Sequence, residues 1–196
     1  MTEVELSETK KAVTGPKFQF IAGALCLDFC NTVAGNRETI PREKLNSIED
    51  FIAWSEQAQL MDHAEAERLR HDGNSRADEV LARAVRLREA IYRIFRAASK
   101  GKTPEPADMA TLNAELEASL GRLRVAKVKG EKGFQWRWGD DDARLENTLG
   151  PIARSAAELL THEDALKQVE QLLGKSRFTS ESDVPLSALA HVVLRP

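Results

Sequence analysis

The sequence predicts an α+β fold that is mainly helical, and three observations lead to this prediction. Apolar residues recur at helical spacing in several segments. Near residues 123–138 the pattern changes to alternating apolar and polar residues on both sides of a glycine-containing turn, which is typical of a β-hairpin. The 196 residues, 42% of them hydrophobic and 30% charged, suit one domain with a core. We therefore expect a multihelical domain with one β-hairpin packed on the helices.

The ordered part of the chain is expected to begin near residue 18. Residues 1–17 are mostly polar and show little apolar periodicity, which predicts a mobile tail. Beyond them, Leu25, Phe29 and Val33 recur every four residues and would form one apolar stripe. This spacing predicts a short helix that Gly35 ends.

Three helices are predicted in the middle of the chain. Ser47 can cap the first, whose apolar face begins at Phe51, and Asp50 complements its first-turn amides. A shorter helix is expected over 64–71. The longest is expected over 77–98, where apolar residues cover a wide side, so this helix should be central.

A further helix and the hairpin come next. Pro106 can begin a helix whose apolar spacing continues to residue 120. The hairpin strands are expected over 123–128 and 134–138, and the aromatic face of the second strand should cover something apolar. Its tryptophans, Trp136 and Trp138, either pack in this way or stack on bases or a ligand.

The C-terminal part is predicted to begin with helices. Residues 145–160 follow helical spacing, and Gly150-Pro151 is expected to kink or split that helix. Another helix is expected over 163–173. Residues 174–196 mix polar residues with a short apolar run and support no definite prediction.

Composition and charge exclude several classes of protein. The formal net charge of -3 provides no overall attraction to nucleic acid or to an anionic membrane. The most apolar stretch, 18–33, is interrupted by polar residues and is too short to span a bilayer comfortably. No signal sequence opens the chain, and its two cysteines cannot build a disulfide framework. We therefore expect a cytoplasmic protein without a membrane segment.

One candidate site is a cluster of four polar residues. Asp28 lies among apolar residues on the first helix, where a buried carboxylate needs a partner. Arg88 falls inside the apolar face of the 77–98 helix, so we predict an ion pair between Asp28 and Arg88. Asn31 or Arg37 would complete the hydrogen bonds. Such a cluster either binds a ligand or only fixes how two helices dock, and the second alternative is the more common.

A second candidate site is the basic side of the same long helix. Arg83, Arg86, Arg93 and Arg96 share a side that lacks large apolar groups, and a phosphate backbone could bind there. The alternative is a solvated face that forms ion pairs with acidic residues around Glu115 and Glu117. The acidic composition of the chain favours this alternative.

Cys26 and Cys30 lie one helical turn apart but indicate neither a metal site nor an enzyme. Structural zinc normally needs four ligands, and the four histidines are scattered along the chain. A nucleophilic cysteine needs a positioned base, which is not visible, and glycine-rich phosphate loops and hydrolase nucleophile motifs do not occur. We expect no catalysis, no metal and no cofactor. An enzyme built around Cys26 and Asp28 is the remaining alternative.

Several segments, in the same order, resemble the ABATE domain, the amino-terminal part of bacterial proteins regarded as stress-induced transcription regulators that end in a CGNR zinc finger. The matching segments are Leu-Cys-Leu-Asp-Phe-x-Asn-Thr at 25–32, Arg37, the Trp-containing helix at 45–60, Leu-Arg-Glu-Ala-Ile at 87–91 and the helix at 151–160. The resemblance covers residues 18–162 and implies transcription regulation in a stress response.

One part of the family pattern is not matched. The resemblance implies a module that binds zinc and DNA after residue 162, but residues 163–196 contain no cysteine and no excess of basic residues. We therefore expect a regulatory or sensing domain without its zinc finger, which acts through a protein partner or a small ligand. A protein that binds DNA through the basic side of the 77–98 helix is the alternative.

Overall fold

The computed structural model describes residues 18–35, 37, 39–71, 76–127, 133–138 and 145–162. The helices in these ranges are α1 (Leu25–Cys30), α2 (Ile48–Gln57), α3 (His63–His71), α4 (Ala77–Ala98), α5 (Pro106–Leu120) and α6 (Leu149–Thr161). The strands are β1 (Val33–Ala34), β2 (Arg42–Glu43), β3 (Leu123–Lys127) and β4 (Phe134–Trp138). The predicted α+β, mainly helical fold class is confirmed. The expected tail at 1–17 and the expected helix at 163–173 lie outside the described residues.

The first helix is shorter than its apolar spacing suggests. It ends at Cys30, and the Thr32 hydroxyl then donates to the carbonyl of Phe29 at 2.7 Å. Val33 was expected in the last turn of this helix, but it lies in β1 and pairs with Glu43 of β2. Gly35 follows with φ of +80°, a conformation that L side chains rarely adopt. The prediction of a helix through Val33 was wrong because the backbone at Val33 pairs with β2 instead of continuing the helix.

The second helix begins as its sequence predicts. The Ser47 hydroxyl accepts a hydrogen bond from the Asp50 amide at 3.2 Å, and the Asp50 carboxylate accepts one from the Asn46 amide at 2.8 Å. The first bond satisfies a first-turn amide that lacks a helical partner, and the second holds the residue before the cap against the helix.

Helix α4 occupies the centre of the domain and has the predicted bounds. It packs against α1, α2, α5 and α6. Beside it, Trp54 of α2 lies with its ring centroid 4.7 Å from that of Phe29 and 5.7 Å from that of Phe20. Helices α1 and α2 are thereby joined by aromatic packing. The position of α4 explains why its apolar side is so wide.

The last described helix is split at its start. Residues Leu145–Thr148 form a 3-10 helix, and α6 continues from Leu149. Pro151 therefore lies in the first turn of α6. Backbone amides in that turn have no helical acceptor, so the amide hydrogen that proline lacks is not needed there. The split expected near Gly150-Pro151 is confirmed. No helix in the described part of the chain is long and apolar enough to cross a membrane.

The hairpin pairs β3 with β4 in antiparallel register. Val125 lies opposite Trp136, and Lys127 lies opposite Phe134. Val125 is 59% exposed and Phe134 is 72% exposed. No cover over these two apolar side chains is present among the described residues.

Candidate functional site

Asp28 anchors the loop that precedes α1. Its Oδ1 accepts hydrogen bonds from the amides of Ile21 and Ala22, both at 2.8 Å. The side chain is buried, and burial raises its pKa although the two amide bonds favour the ionised form. The predicted ion pair between Asp28 and Arg88 was wrong. The loop, which turns at Gly23 with φ of +73°, folds back and supplies the donors that this carboxylate needs.

Arg88 finds its carboxylate partners elsewhere. This residue is only 2% exposed, and its two terminal nitrogens bind the two oxygens of Glu43 at 2.8 and 2.7 Å. Its Nε donates to Glu89 at 2.9 Å, and Nη1 also donates to the Thr32 hydroxyl at 3.0 Å. Partial burial is the largest influence on the pKa of Glu43 and raises it. The hydrogen bonds and charge of Arg88, together with hydrogen bonds from the Leu45 and Lys44 amides, outweigh burial and lower that pKa.

Arg37 extends this network toward the surface. Its Nη1 binds the second oxygen of Glu89 at 2.7 Å, and Nη2 donates to the carbonyl of Cys30 at 2.6 Å. The guanidinium carbon lies 4.1 Å from the ring centroid of Tyr92, within the range of a cation–π interaction. We call Arg37, Glu43, Arg88 and Glu89 the Arg–Glu cluster. It links the segment after α1 to β2 and to the centre of α4.

The Arg–Glu cluster is buried on one side and open on the other. The side chains of Arg88 and Arg37 are 2% and 13% exposed, whereas those of Glu43 and Glu89 are 36% and 31% exposed. The guanidinium groups therefore lie deeper than their carboxylates. Solvent, or a solute, reaches the cluster from the side of the glutamates.

Asn31, the residue after the cluster contact at Cys30, contributes an unused donor. Its Nδ2 is buried and has no hydrogen-bond partner in the structure. The residue follows Cys30, whose carbonyl accepts the bond from Arg37. A buried donor without a partner costs about 1–3 kcal/mol, and such a group calls for an explanation.

The structure brings only some of the predicted polar residues together. Arg37 and Arg88 meet through Glu89, whereas Asp28 points to the loop before α1. The sequence pattern did not indicate either glutamate of the cluster. Glu89 directly follows Arg88 in the segment Leu-Arg-Glu-Ala-Ile, but Glu43 lies in a two-residue strand that no periodic pattern reveals.

The basic side of α4 carries ion pairs to α5. Arg83 forms two hydrogen bonds with Glu115, at 2.6 and 2.7 Å, and Arg93 binds Asp108 with its Nε and Nη2, the shortest contact being 2.6 Å. Arg86 is exposed. Carboxylates therefore neutralise at least two of the four arginines named as a phosphate-binding side.

The two cysteines lie in the core. The backbone amide of Cys26 donates to the Ser155 hydroxyl of α6 at 3.2 Å, and the Cys30 thiol lies 3.7 Å from the Arg88 carbonyl oxygen. Burial raises the pKa of Cys26 to about 12 and raises that of Cys30 as well. A nucleophilic cysteine requires the opposite shift. Within the described ranges, no group of three His, Cys, Asp or Glu residues could hold a metal ion.

Comparison with known proteins identifies one family. The family model of the ABATE domain, described as "Putative stress-induced transcription regulator", matches residues 23–163. No curated protein and no solved structure matches the chain. Because the family model covers well over half of the 196 residues, the chain belongs to the ABATE family.

Proposed function

We propose that this chain is a regulatory domain that senses a small anion at the Arg–Glu cluster. The observation that carries the proposal is the buried, unpartnered Nδ2 of Asn31 beside the segment that Arg37 binds. Such a donor, on the residue that follows the Arg37-bound carbonyl of Cys30, suits an oxygen-rich anion such as a carboxylate or a phosphate.

The cluster connects this site to other elements of the domain. Arg37 and Arg88 bind Glu89 on α4, and Arg88 also binds Glu43 on β2. An anion that replaces Glu89 on Arg37 frees a carboxylate beside Arg88. The ligand thereby changes how the segment between α1 and α2 is held on the central helix. A difference in contacts between the free and bound states is what regulation by a ligand requires.

Two other functions have less support. Duplex DNA binding through α4 must compete with the carboxylates that hold Arg83 and Arg93. Catalysis by Cys26 must overcome the raised pKa of its thiol.

The test is calorimetric titration of the protein with acetate, succinate and phosphate, each against sodium chloride of equal ionic strength. We expect saturable binding of at least one anion. Replacing Asn31→Leu removes the donor but keeps a similar volume, so it should weaken that binding about tenfold, the effect of one charge-assisted hydrogen bond. The same variant should remain as stable as the original chain or become more stable, because an unsatisfied donor is lost.

The control variant is Arg86→Gln, which changes an exposed arginine of the same helix. It should bind the anion as the unchanged protein does. Binding that does not saturate, or that Asn31→Leu leaves intact, would contradict the proposed site.

A further inference from the structure

We propose that the β3–β4 hairpin binds single-stranded nucleic acid, with phosphates on its cations and bases on its exposed apolar side chains. This surface is separate from the Arg–Glu cluster and adds a second binding activity to the proposed regulatory function.

The charge of the hairpin is opposite to that of the whole chain. Residues 121–138, the two strands and the segment between them, contain six basic residues and one acidic residue, while the chain has a net charge of -3. The basic residues in the described part are Arg122, Arg124, Lys127 and Arg137. A local positive surface on an acidic protein is the electrostatic feature expected of a phosphate-binding site.

The hairpin cations differ from the arginines of α4 in their partners. Arg124 is exposed, and its Nη1 donates to the backbone carbonyls of Gly121 and Leu123 at 2.8 and 3.0 Å. Lys127 is exposed as well. Among the described residues, no carboxylate lies within ion-pair distance of either cation, so their charge is available to a phosphate.

The hairpin carries cations on both faces. Val125 and Lys127 share one face and Arg124 lies on the other, since successive residues of a strand alternate between faces. Arg124 can therefore bind a phosphate only on the face away from Lys127.

The register also places an aromatic ring beside a cation. Phe134 is 72% exposed and lies directly opposite Lys127, so both belong to one face of the hairpin. Val125, two positions before Lys127, is 59% exposed on that same face. A two-stranded hairpin is at best marginally stable in water, and a partner that covers its apolar face adds stability.

These exposed apolar groups favour a single strand over a duplex. In a duplex the bases are stacked on each other, so an exposed ring gains little from contact with the phosphate backbone. In a single strand a base is free to stack on Phe134 while the next phosphate binds Lys127. Stacking platforms bordered by cations are the usual device of single-strand binding proteins.

The experiment is a fluorescence anisotropy titration of a fluorescein-labelled 15-nucleotide DNA of mixed sequence, as a single strand and as a duplex. We expect the single strand to bind more tightly. Its affinity should fall about 2.6-fold per phosphate contact between 50 and 200 mM salt, because each contact contributes about 0.7 to the logarithmic salt slope.

Three variants locate the site. Lys127→Glu should weaken single-strand binding and reduce the salt slope, and Phe134→Ala should weaken binding about tenfold through the loss of one stacked base. Phe134→Tyr keeps the ring and should retain binding. These side chains are exposed, so folding is checked by circular dichroism with little change expected.

The matched control is Arg86→Glu, a charge reversal of the same size at an exposed position of α4. It should leave single-strand binding nearly unchanged. Four results would overturn the proposal: no binding at 50 mM salt, duplex affinity equal to or above single-strand affinity, full binding by Lys127→Glu or Phe134→Ala, or a larger loss with Arg86→Glu than with Lys127→Glu.

Discussion

Replacing Arg88→Met should destabilise the domain, and the structure indicates by how much. Removing one member of a buried ion pair typically costs about 3–5 kcal/mol because the remaining charge is left uncompensated. Here the remaining charges are Glu43 and Glu89, with side chains 36% and 31% exposed, so water re-solvates them in part. We therefore expect a loss of about 2–3 kcal/mol in the free energy of unfolding. Methionine keeps the apolar stem packed, so the effect reports the guanidinium group.

Urea unfolding at neutral pH, followed by tryptophan fluorescence and circular dichroism, measures this loss. The matched control is Arg86→Met, two residues away and exposed, which should change the free energy of unfolding by no more than about 0.5 kcal/mol. Thermal unfolding should rank the two variants in the same order. The Tm should be about 4–10 °C lower for Arg88→Met but not for Arg86→Met.

Double-mutant cycles identify the partner of Arg88. In the background of Glu43→Gln, the loss of stability caused by Arg88→Met should be smaller, because Glu43→Gln has already removed a carboxylate charge that Arg88→Met leaves unpaired. In the background of Asp28→Asn the penalty should stay nearly the same, since Asp28 binds backbone amides instead. An Arg88→Met variant as stable as the original chain, or a stronger coupling to Asp28 than to Glu43, would refute this account of the cluster.

Three further predictions follow from the geometry. Burial raises the pKa of Asp28 above 3.8, so its contribution to stability falls as pH rises from about 4 through the folded-state pKa. Asp28→Asn keeps an acceptor oxygen but does not titrate, and its stability relative to the original chain should therefore improve between about pH 3.5 and pH 7 in urea titrations; a difference independent of pH would count against this. Gly35→Ala should cost more than Gly101→Ala, although both residues have positive φ, because a Cβ on Gly35 would lie 2.7 Å from a backbone oxygen, whereas one on Gly101 meets nothing within 4 Å. The latter change should cost about 1–2 kcal/mol in urea unfolding, and equal costs would show that the close contact is relieved. Cys26 and Cys30 should react with a thiol reagent slowly in the native protein and rapidly in urea, because burial raises the pKa of both thiols; rapid native labelling would contradict their burial.

Local patterns were sufficient for most helices. The bounds of α4 follow from apolar residues at helical spacing over 22 residues, and α2 begins at a serine whose hydroxyl caps it. The positions of the two hairpin strands followed from alternation on both sides of a turn. These features depend on interactions between residues close in the chain, so a single sequence contains them.

The sequence also indicated that Arg88 needs a carboxylate but not which one. Asp28, the nearest candidate on an apolar helix face, is satisfied by two loop amides. Glu43 was missed because it reaches Arg88 only through the pairing of two-residue strands, and this pairing also ends the first helix early. Several carboxylates are suitable partners for Arg88 by local sequence. Their distance from Arg88 in the folded structure decides which of them binds it.

The sequence by itself therefore determined the helical elements, the family and the presence of buried charge. Only the tertiary structure decided the use of the charged residues: Arg83 and Arg93 are neutralised by α5, Arg88 is enclosed by two glutamates, and Arg124 faces solvent. The physical reason is that helical periodicity is set by neighbours within a few residues. The free energy of a charge depends instead on burial and on oppositely charged groups within a few ångströms, which helices and strands distant in sequence supply.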